Sequence, residues 1–560
     1  MRYLRWIRKA ASPVAHLLTG AVICQLMLTG LALCYVFISK SLVDVASCSE
    51  DKLPQVLADI AFCGETGRGG TLVVLACAML IAILLRIAFQ SCISYLESKA
   101  EIKIANRLRQ EEFDILMRLK SDYRKRWHSG DLVNRLQSDV SAVASTVGRS
   151  IPNLIGAVLK FAAAFAYLLY LEARLAWVLV LVIPLGIFGG RYVLRRIRRL
   201  TLAVREGDSK VQSHVQESVQ HLSVIQGLEY GSCSSEELEM MQEDFYSKVM
   251  KRTRFSIVAR VLTGLAFSLG YAIAFLWGVR GLWLGSVSFG LMTAFLQLVG
   301  QIQRPLMEMS EQLPGIFHCS ASIDRLIEIE GMPLEDEGEA VMMNGIAGIR
   351  IESLNFHYPD GKEQIFKDFS HDFKPGSHTA VIGETGIGKS TLIKLLMALL
   401  QPDSGRISIY DRQGNSVEAS SRTRCNLVYV PQGNSLFSGS IRDNLLMGKP
   451  DADEAEMKKA LHRSAADFVI NMPDGLDSQC FEAGGGLSEG QAQRIAIARA
   501  LLRPGSVLLL DEFSSALDPD TEKLLLERLN DGTGDKTMIF ITHRERVAEY
   551  CGDILRIDRK

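Results

Sequence analysis

The stretch "TAVIGETGIGKSTL" runs from apolar residues into a glycine-rich turn and then into a helical run, with Gly383, Gly388, Lys389 and Ser390 at regular spacing. That order suits a phosphate. Glycines let backbone N–H groups close around the oxygens, Lys389 neutralises the terminal charges, and the Ser390 hydroxyl can ligate Mg2+. "VLLLDE" supplies a complementary chemistry. Its four apolar residues suit a buried strand, and Asp511 emerges at the C-terminal end as a metal-side carboxylate. Glu512, next to it, is placed to activate a water. Alone, such an acidic pair is equally a cap on a strand; beside a phosphate loop the catalytic reading prevails. A third stretch, "GGGLSEGQAQRIAIARALL" (Gly484–Leu502), also reads as a helix start that holds an anion. Ser488 with Gln491 makes a capping box, and the free N–H groups and positive dipole end favour negative charge. Two phosphate sites in one chain raise the question of which phosphate the second one serves.

These residues need a sheet that presents strand ends beside helix starts. From Ile349 onward, strand-like runs such as "HTAVIG", "NLVYV", "SVLLLDE" and "TMIFITH" alternate with helical ones such as "STLIKLLMALL" and "RIAIARALL". The pattern predicts an α/β domain over 349–560 with buried, mostly parallel strands. The first half is different. Six apolar stretches approach or reach the ~20 residues that cross a bilayer: Val14–Ile38, Thr71–Ile93, Ile151–Tyr170, Leu175–Val193, Ile257–Trp277 and Phe289–Gln303, the last the shortest and most polar. A mean hydropathy of +0.14 alongside 22% charged residues fits two unlike halves averaged over 560 residues. The net charge of −1 gives no pointer to nucleic acid.

Basic residues set the orientation. "MRYLRWIRK" and "RRIRRL" are dense in Arg and Lys, whereas the 40–70 loop is slightly acidic, so both termini are expected in the cytoplasm. The first apolar run has no small-residue cleavage site after it and reads as retained. The eleven cysteines show no zinc spacing. Cys48 and Cys63 both fall in the predicted outer loop, as two free thiols or as a disulfide. Between the second and third spans, and between the fourth and fifth, "EIKIANRLRQEEFDILMRLK" and "VREGDSKVQSHVQESVQHLSVIQGLE" keep helical spacing while turning polar. They are either solvated loop helices or levers reaching below the membrane. Residues 330–348, acidic and glycine-containing, read as a linker after a membrane domain over 1–329.

Taken together, the second half resembles the nucleotide-binding cassette of ATP-binding cassette (ABC) proteins. With six preceding spans the whole chain is similar to an exporter-type ABC half-transporter. The implied fold is a membrane domain of six helices with long cytoplasmic extensions, followed by an α/β P-loop NTPase domain. "LSEGQ" (Leu487–Gln491) resembles the family signature, "SALD" its D-loop ending at Asp518, Gln432 in "YVPQ" its Q-loop, His543 in "ITH" its switch histidine, and Tyr358 in "FHYPD" its adenine-stacking aromatic. "LFSGSIRDNL" and "SGDLVNRLQSDV" are further exporter-like segments.

The resemblance implies ATP and Mg2+ as ligands. Gly383, Glu384, Thr385, Gly386, Ile387, Gly388, Lys389, Ser390 and Thr391 would cradle the phosphates, with Ser390, Gln432 and Asp511 on the metal side. Glu512 would polarise the attacking water and His543 would position it. Two cassettes would pair head to tail, so that Ser488, Gly490 and Gln491 grip the γ-phosphate of ATP held by a second half-transporter, identical or not. Short coupling helices are implied around Leu119–Trp127 and Gln216–Val224, and an interfacial elbow helix around Trp6. Glu489 departs from the signature's usual glycine and is expected to point outward. The chain ends soon after "GDILRID", without the helical tail of many relatives, so pairing is expected to lean on ATP and the membrane half.

The implied activity is ATP-driven export or lipid flipping by alternating access across a bacterial inner membrane. Import on the same fold and an ATP-gated channel stand as alternatives, and no nucleic-acid partner is implied. The cargo is not written in the motifs. Lys160, mid-span, either meets an anionic group of the cargo or pairs with a carboxylate of the protein. Arg86, Arg191 and Arg260 sit where snorkelling accounts for them. Gln297 and Gln301 either line a cavity or pack between helices.

Overall fold

In the first half the apolar runs are helical. A short amphipathic helix, α1 (Arg2–Ala11), buries Trp6 and Ala10 and exposes Arg2, Arg5, Arg8 and Lys9. The long helices α2 (Ala15–Ser47), α3 (Arg68–Met117), α4 (Gly130–Leu171) and α5 (Ala173–Gln220) follow. The six-residue α6 (Leu222–Gly227) precedes α7 (Gly231–Trp283) and α8 (Phe289–Glu330). The computed structural model describes residues 2–47, 68–120, 129–336, 338–358, 364–384, 386–481, 486–532 and 536–557, with side chains described except at 129, 178–194, 263, 310, 311, 313, 314, 317 and 532. Two units form: residues 1–113 with 133–328, and residues 114–132 with 329–560.

Each of the six apolar stretches falls on a separate long helix. Among the described residues, four helices are long and apolar enough to cross a membrane: 2–47, α3, α4 and α7. The difference from six has local reasons. Most side chains of the fourth stretch, and that of Arg191, lie outside the described residues, and the α8 stretch is diluted by Gln297, Gln301 and Gln303. Cys48, Cys63 and residues 121–127 of the first expected coupling segment also lie outside the described residues. The second expected coupling segment covers the end of α5 and the start of α6, which buries none of its residues.

Two π-helical segments, Arg135–Asp139 and Thr146–Ser150, interrupt α4. Within the second, Gly148 lies so close to α3 that a Cβ there would sit 2.8 Å from the Glu101 Cα. Nearby, the buried carboxylate of Asp139 accepts from Arg325 Nε (2.6 Å) and Nη2 and from Ser322 Oγ (2.8 Å). Arg135 donates to the Arg325 carbonyl (3.0 Å) and to Glu328 (3.1 Å). Charged hydrogen bonds therefore tie the start of α4 to the end of α8.

The second unit holds two main sheets. β1 (Ala347–His357) and β2 (Gln364–Phe373) are antiparallel, and with β4 (Ser404–Asp411) and β5 (Ser416–Glu418) they form a four-stranded sheet in the order β2-β1-β4-β5. β3 (His378–Ile382), β6 (Leu427–Val430), β9 (Val507–Asp511), β10 (Thr537–Ile541) and β11 (Asp553–Arg556) form a parallel sheet in the order β11-β3-β10-β9-β6. β9 and β10 are buried at every position, as parallel strands covered on both faces must be. β1 alternates inside and outside over much of its length, the mark of a sheet with one wet face. α9 (Lys389–Leu396) buries Leu392, Ile393, Leu395 and Leu396 in the core it shares with β1 and β3. α10 (Ile441–Leu446) and α11 (Glu454–Arg463) pack on α12 (Glu489–Leu502) through Leu445, Met457, Leu461 and Ile495. A two-residue β7 (Gly439–Ser440), just ahead of α10, pairs with β8 (Gln479–Cys480). α13 (Pro519–Gly532) and α14 (Glu545–Glu549) complete the unit.

The stretch read as a linker is laid along its own unit. Leu334 bridges to Leu119, Glu335 N donates to the Arg118 carbonyl (2.8 Å), and Arg424 grips the Glu335 carboxylate with two nitrogens (2.6 and 2.8 Å). Further on, Met343 N donates to Asn426 Oδ1 (2.7 Å).

Candidate functional site

β3 runs out at Ile382 and the chain turns through Gly383–Gly388 into α9. Gly388 caps the helix at φ +108°, where a side chain would be strained, and a Cβ would lie 2.4 Å from Ile365 Cγ2. Gly386 is left-handed too, at φ +86°. Lys389 is buried and its ammonium donates to the carbonyls of Gly383 (2.6 Å) and Glu384 (2.9 Å), inside the turn. Thr385 lies outside the described residues. Tyr358 shares a hydrogen bond with Thr391 Oγ1 (3.0 Å), beside the same helix start.

The parallel sheet brings β9 next but one to β3, with β10 between. Asp511, its last residue, is 3% exposed and receives the Ser390 hydroxyl at 3.4 Å and the Tyr429 hydroxyl at 3.5 Å. Burial pushes its carboxyl above the usual carboxylate range, and Glu512 next to it adds to the rise. A buried carboxylate whose hydrogen-bond partners among the described residues are hydroxyls, and which has an acidic neighbour, is well matched to a hard cation. Oxygen donors from Ser390, Asp511 and Gln432 fit Mg2+.

Glu512 sits at φ +44°, uncommon for a non-glycine residue, and its N–H donates to the Ile541 carbonyl (2.9 Å). Its carboxylate faces two residues from other strand ends. Gln432 Nε2 donates to one oxygen at 2.6 Å, and His543 Nδ1 stands 3.8 Å from the other. Three residues spread over more than a hundred positions thus meet at one strand end. Sequence reasoning missed Gln493, which is 1% exposed and donates from Nε2 to the Glu512 carbonyl (3.2 Å). It also missed Tyr429. The only signal for either was nearness to a motif.

α12 begins as its capping box requires. Gln491 N donates to Ser488 Oγ (3.2 Å), and Ser488 N donates to Gln491 Oε1 (2.9 Å). Gly490 is buried, and a Cβ there would come within 2.7 Å of the Ala516 carbonyl, so the signature helix presses on the segment before Asp518. Asp518 accepts from Thr521 N (3.0 Å), a bond that holds its carboxyl below the usual range. Glu489 is exposed. Among the described residues no hydrogen bond or ion pair joins Ser488, Gly490, Gln491 or Asp518 to the phosphate loop. Hydrogen bonds and an ion-pair contact thus link Ser390 of the loop to Asp511, and Gln432 and His543 to Glu512.

In the membrane half, Lys160 Nζ lies 3.8 Å from Glu308, and Gln297 and Gln301 donate to Ser39 Oγ (2.8 Å) and the Ala32 carbonyl (3.2 Å).

Residues 21–306 match the model of the ABC transporter transmembrane region, and residues 366–515 match that of the ABC transporter cassette. The chain belongs to the ABC transporter family. It is an integral membrane protein whose cassette hydrolyses ATP to drive transport. It is 29% identical over 442 residues to a fatty acid ABC transporter ATP-binding/permease protein of Mycobacterium tuberculosis, covering 78% of this chain and 69% of the relative. It is also 29% identical to an ATP-dependent lipid A-core flippase of Pseudomonas fluorescens, covering 86% and 81%. Its fold is that of a bacterial Atm1-family ABC exporter solved with ATP bound, with TM-score 0.80, 21% identity, and 97% and 94% of the two chains covered.

Proposed function

We propose that this ABC transporter is an exporter or lipid flippase working as a dimer of half-transporters, with six spans per chain and both termini on the cytoplasmic side of a bacterial inner membrane. The direction rests on the relative named as a flippase and on the exporter fold. The chemistry rests on one observation: Gln432 and His543 flank the carboxylate of Glu512 at the strand end beside buried Asp511. Glu512 takes the proton of the attacking water, Gln432 and His543 orient it, and the loop amides with Lys389 hold the β- and γ-phosphates. Tyr358 carries the adenine. Mg2+, held through Ser390, Gln432 and Asp511, supplies charge neutralisation on the phosphates when bound.

Ser488, Gly490, Gln491 and Asp518 make no hydrogen bond to the loop of the same chain among the described residues, which fits pairing with a second cassette, identical or related. Each signature helix then serves the partner's nucleotide. ATP joins the cassettes and its hydrolysis releases them, moving the helices between inward- and outward-facing states. Glu512→Gln is expected to bind ATP and dimerise but to lose at least about a hundredfold in turnover. Near-normal steady-state ATPase in that variant, reconstituted in liposomes, rules Glu512 out as the base. ATP-dependent uptake into inside-out vesicles supports export; uptake only into right-side-out vesicles means import.

A further inference from the structure

We infer that the transported molecule is an anionic amphiphile whose headgroup also carries hydrogen-bond donors, bound in a cavity within the helical unit; this deepens the transport reading and rests on it. A cavity of about 710 Å³ opens among α2, α3, α4 and α8. Its charged lining comprises Arg86, Lys160 and Arg304 against Glu97 and Glu308. The pairing is unequal. Glu308 is shared between Lys160 (3.8 Å) and Arg304 (3.5 Å), so one carboxylate answers two cations. Arg86 lines the same space with no carboxylate within ion-pair distance among the described residues. Its place in the cavity lining gives it a role that snorkelling alone would not. An excess cation at membrane depth is costly unless something negative meets it.

The other wall asks for the opposite partner. Gln25 Nε2 donates to Asn153 Oδ1 (3.2 Å), and Asn153 Nδ2 donates to Glu97 Oε2 (3.4 Å). Each amide nitrogen gives one N–H to this chain, and Glu97 Oε1 is left buried with no hydrogen-bond partner among the described residues; Gln25 Oε1, likewise unpartnered, is packed against Gly156 of α4. Gln25 and Glu97 are 2% and 6% exposed, and both line the cavity. A buried acceptor such as Glu97 Oε1 is satisfied by a donor on whatever fills the space. Apolar side chains such as Leu28, Leu31 and Ile93 complete the lining and suit an acyl or other hydrocarbon portion. A phosphate or carboxylate for the cations, a hydroxyl or amine for Glu97, and an apolar tail together describe the ligand.

The test uses the full chain in neutral phosphatidylcholine nanodiscs with radiolabelled lyso-phosphatidylglycerol as probe. Dodecyltrimethylammonium, dodecyl maltoside and dodecyl phosphate serve as competitors. The probe is expected to saturate, dodecyl phosphate to compete at least tenfold better than the ammonium or the sugar, and unlabelled probe to compete better than dodecyl phosphate. Lys160→Gln and Arg86→Gln should each raise the half-saturating concentration at least fivefold, while Lys160→Arg and Arg86→Lys stay within twofold. These charge-keeping variants separate a lost contact from a lost fold. Equal or better competition by the cation, or unchanged binding in both glutamine variants, overturns the anionic site; parity of dodecyl phosphate with the probe overturns the donor requirement. Vesicle assays keep the two levels distinct. Anion binding without ATP-driven movement refutes the transport reading and leaves the site; ATP-driven movement of the cation alone does the reverse.

Discussion

At Glu512, the proposed base, the backbone turns to φ +44°. Strain of that kind persists where surrounding bonds over-determine it. Here the Ile541 carbonyl takes the Glu512 N–H, and Ser515 N and Gln493 Nε2 both donate to the Glu512 carbonyl, so both backbone groups are held. Gln493 is therefore a positioning residue. Gln493→Leu, close in volume but unable to donate, should lower kcat about tenfold while leaving the affinity for ATP nearly unchanged, since the loop contacts are untouched. Nucleotide titrations beside steady-state ATPase would show the split; weaker ATP binding at normal kcat would assign Gln493 to the nucleotide pocket. Glu512, Gln432 and His543 were legible in the sequence because their motifs are local and chemically distinctive. Gln493 was not. Its role comes from a contact 19 positions away that no spacing rule encodes.

Among the elements, α4 shows what periodicity conceals. Ahead of the third span, two π-helical segments shift the register of the faces of α4. One of them carries Gly148, pressed on the backbone of α3 at Glu101. Gly148→Val must push the helices apart, at a cost of about 1–3 kcal/mol. The variant should unfold at a clearly lower temperature in detergent, with Gly148→Ala lowering it less. An unchanged midpoint for valine would mean that the close approach is not kept in the membrane. The sheets were half legible. Strands β1, β3, β6, β9 and β10 announced themselves as strand-like runs, whereas the antiparallel pairing of β1 with β2 and β4 did not, because it depends on which strands meet.

For the whole chain, the segment between the helical region and the cassette is held by definite bonds. Arg424 and Glu335 are each about one-fifth exposed, and their paired hydrogen bonds fasten the stretch to its own unit. Arg424→Ala removes two charge-assisted bonds, worth about 1.5–3 kcal/mol each when well made. Amide exchange over residues 333–343 of the full-length protein should speed up at least tenfold, with little change in β9. Equal exchange in the two proteins would mean the pair is not what holds this segment. Composition made the stretch look like a spacer because acidic residues and glycine suit loops. Its partner, an arginine almost ninety positions later, was visible only once the chain had folded.

Leu119 finds its neighbour at Leu334. Ribosomes deliver proteins from the N-terminus, so the earlier of these residues waits, unmatched, until most of the membrane helices have been made. The cassette's unit is thus finished by a piece of chain that is old when the rest is new. A nascent chain halted before Leu334 would carry an orphaned edge, an opening for chaperones and proteases. Equally, a fragment begun at residue 349 would lack both members of the pair.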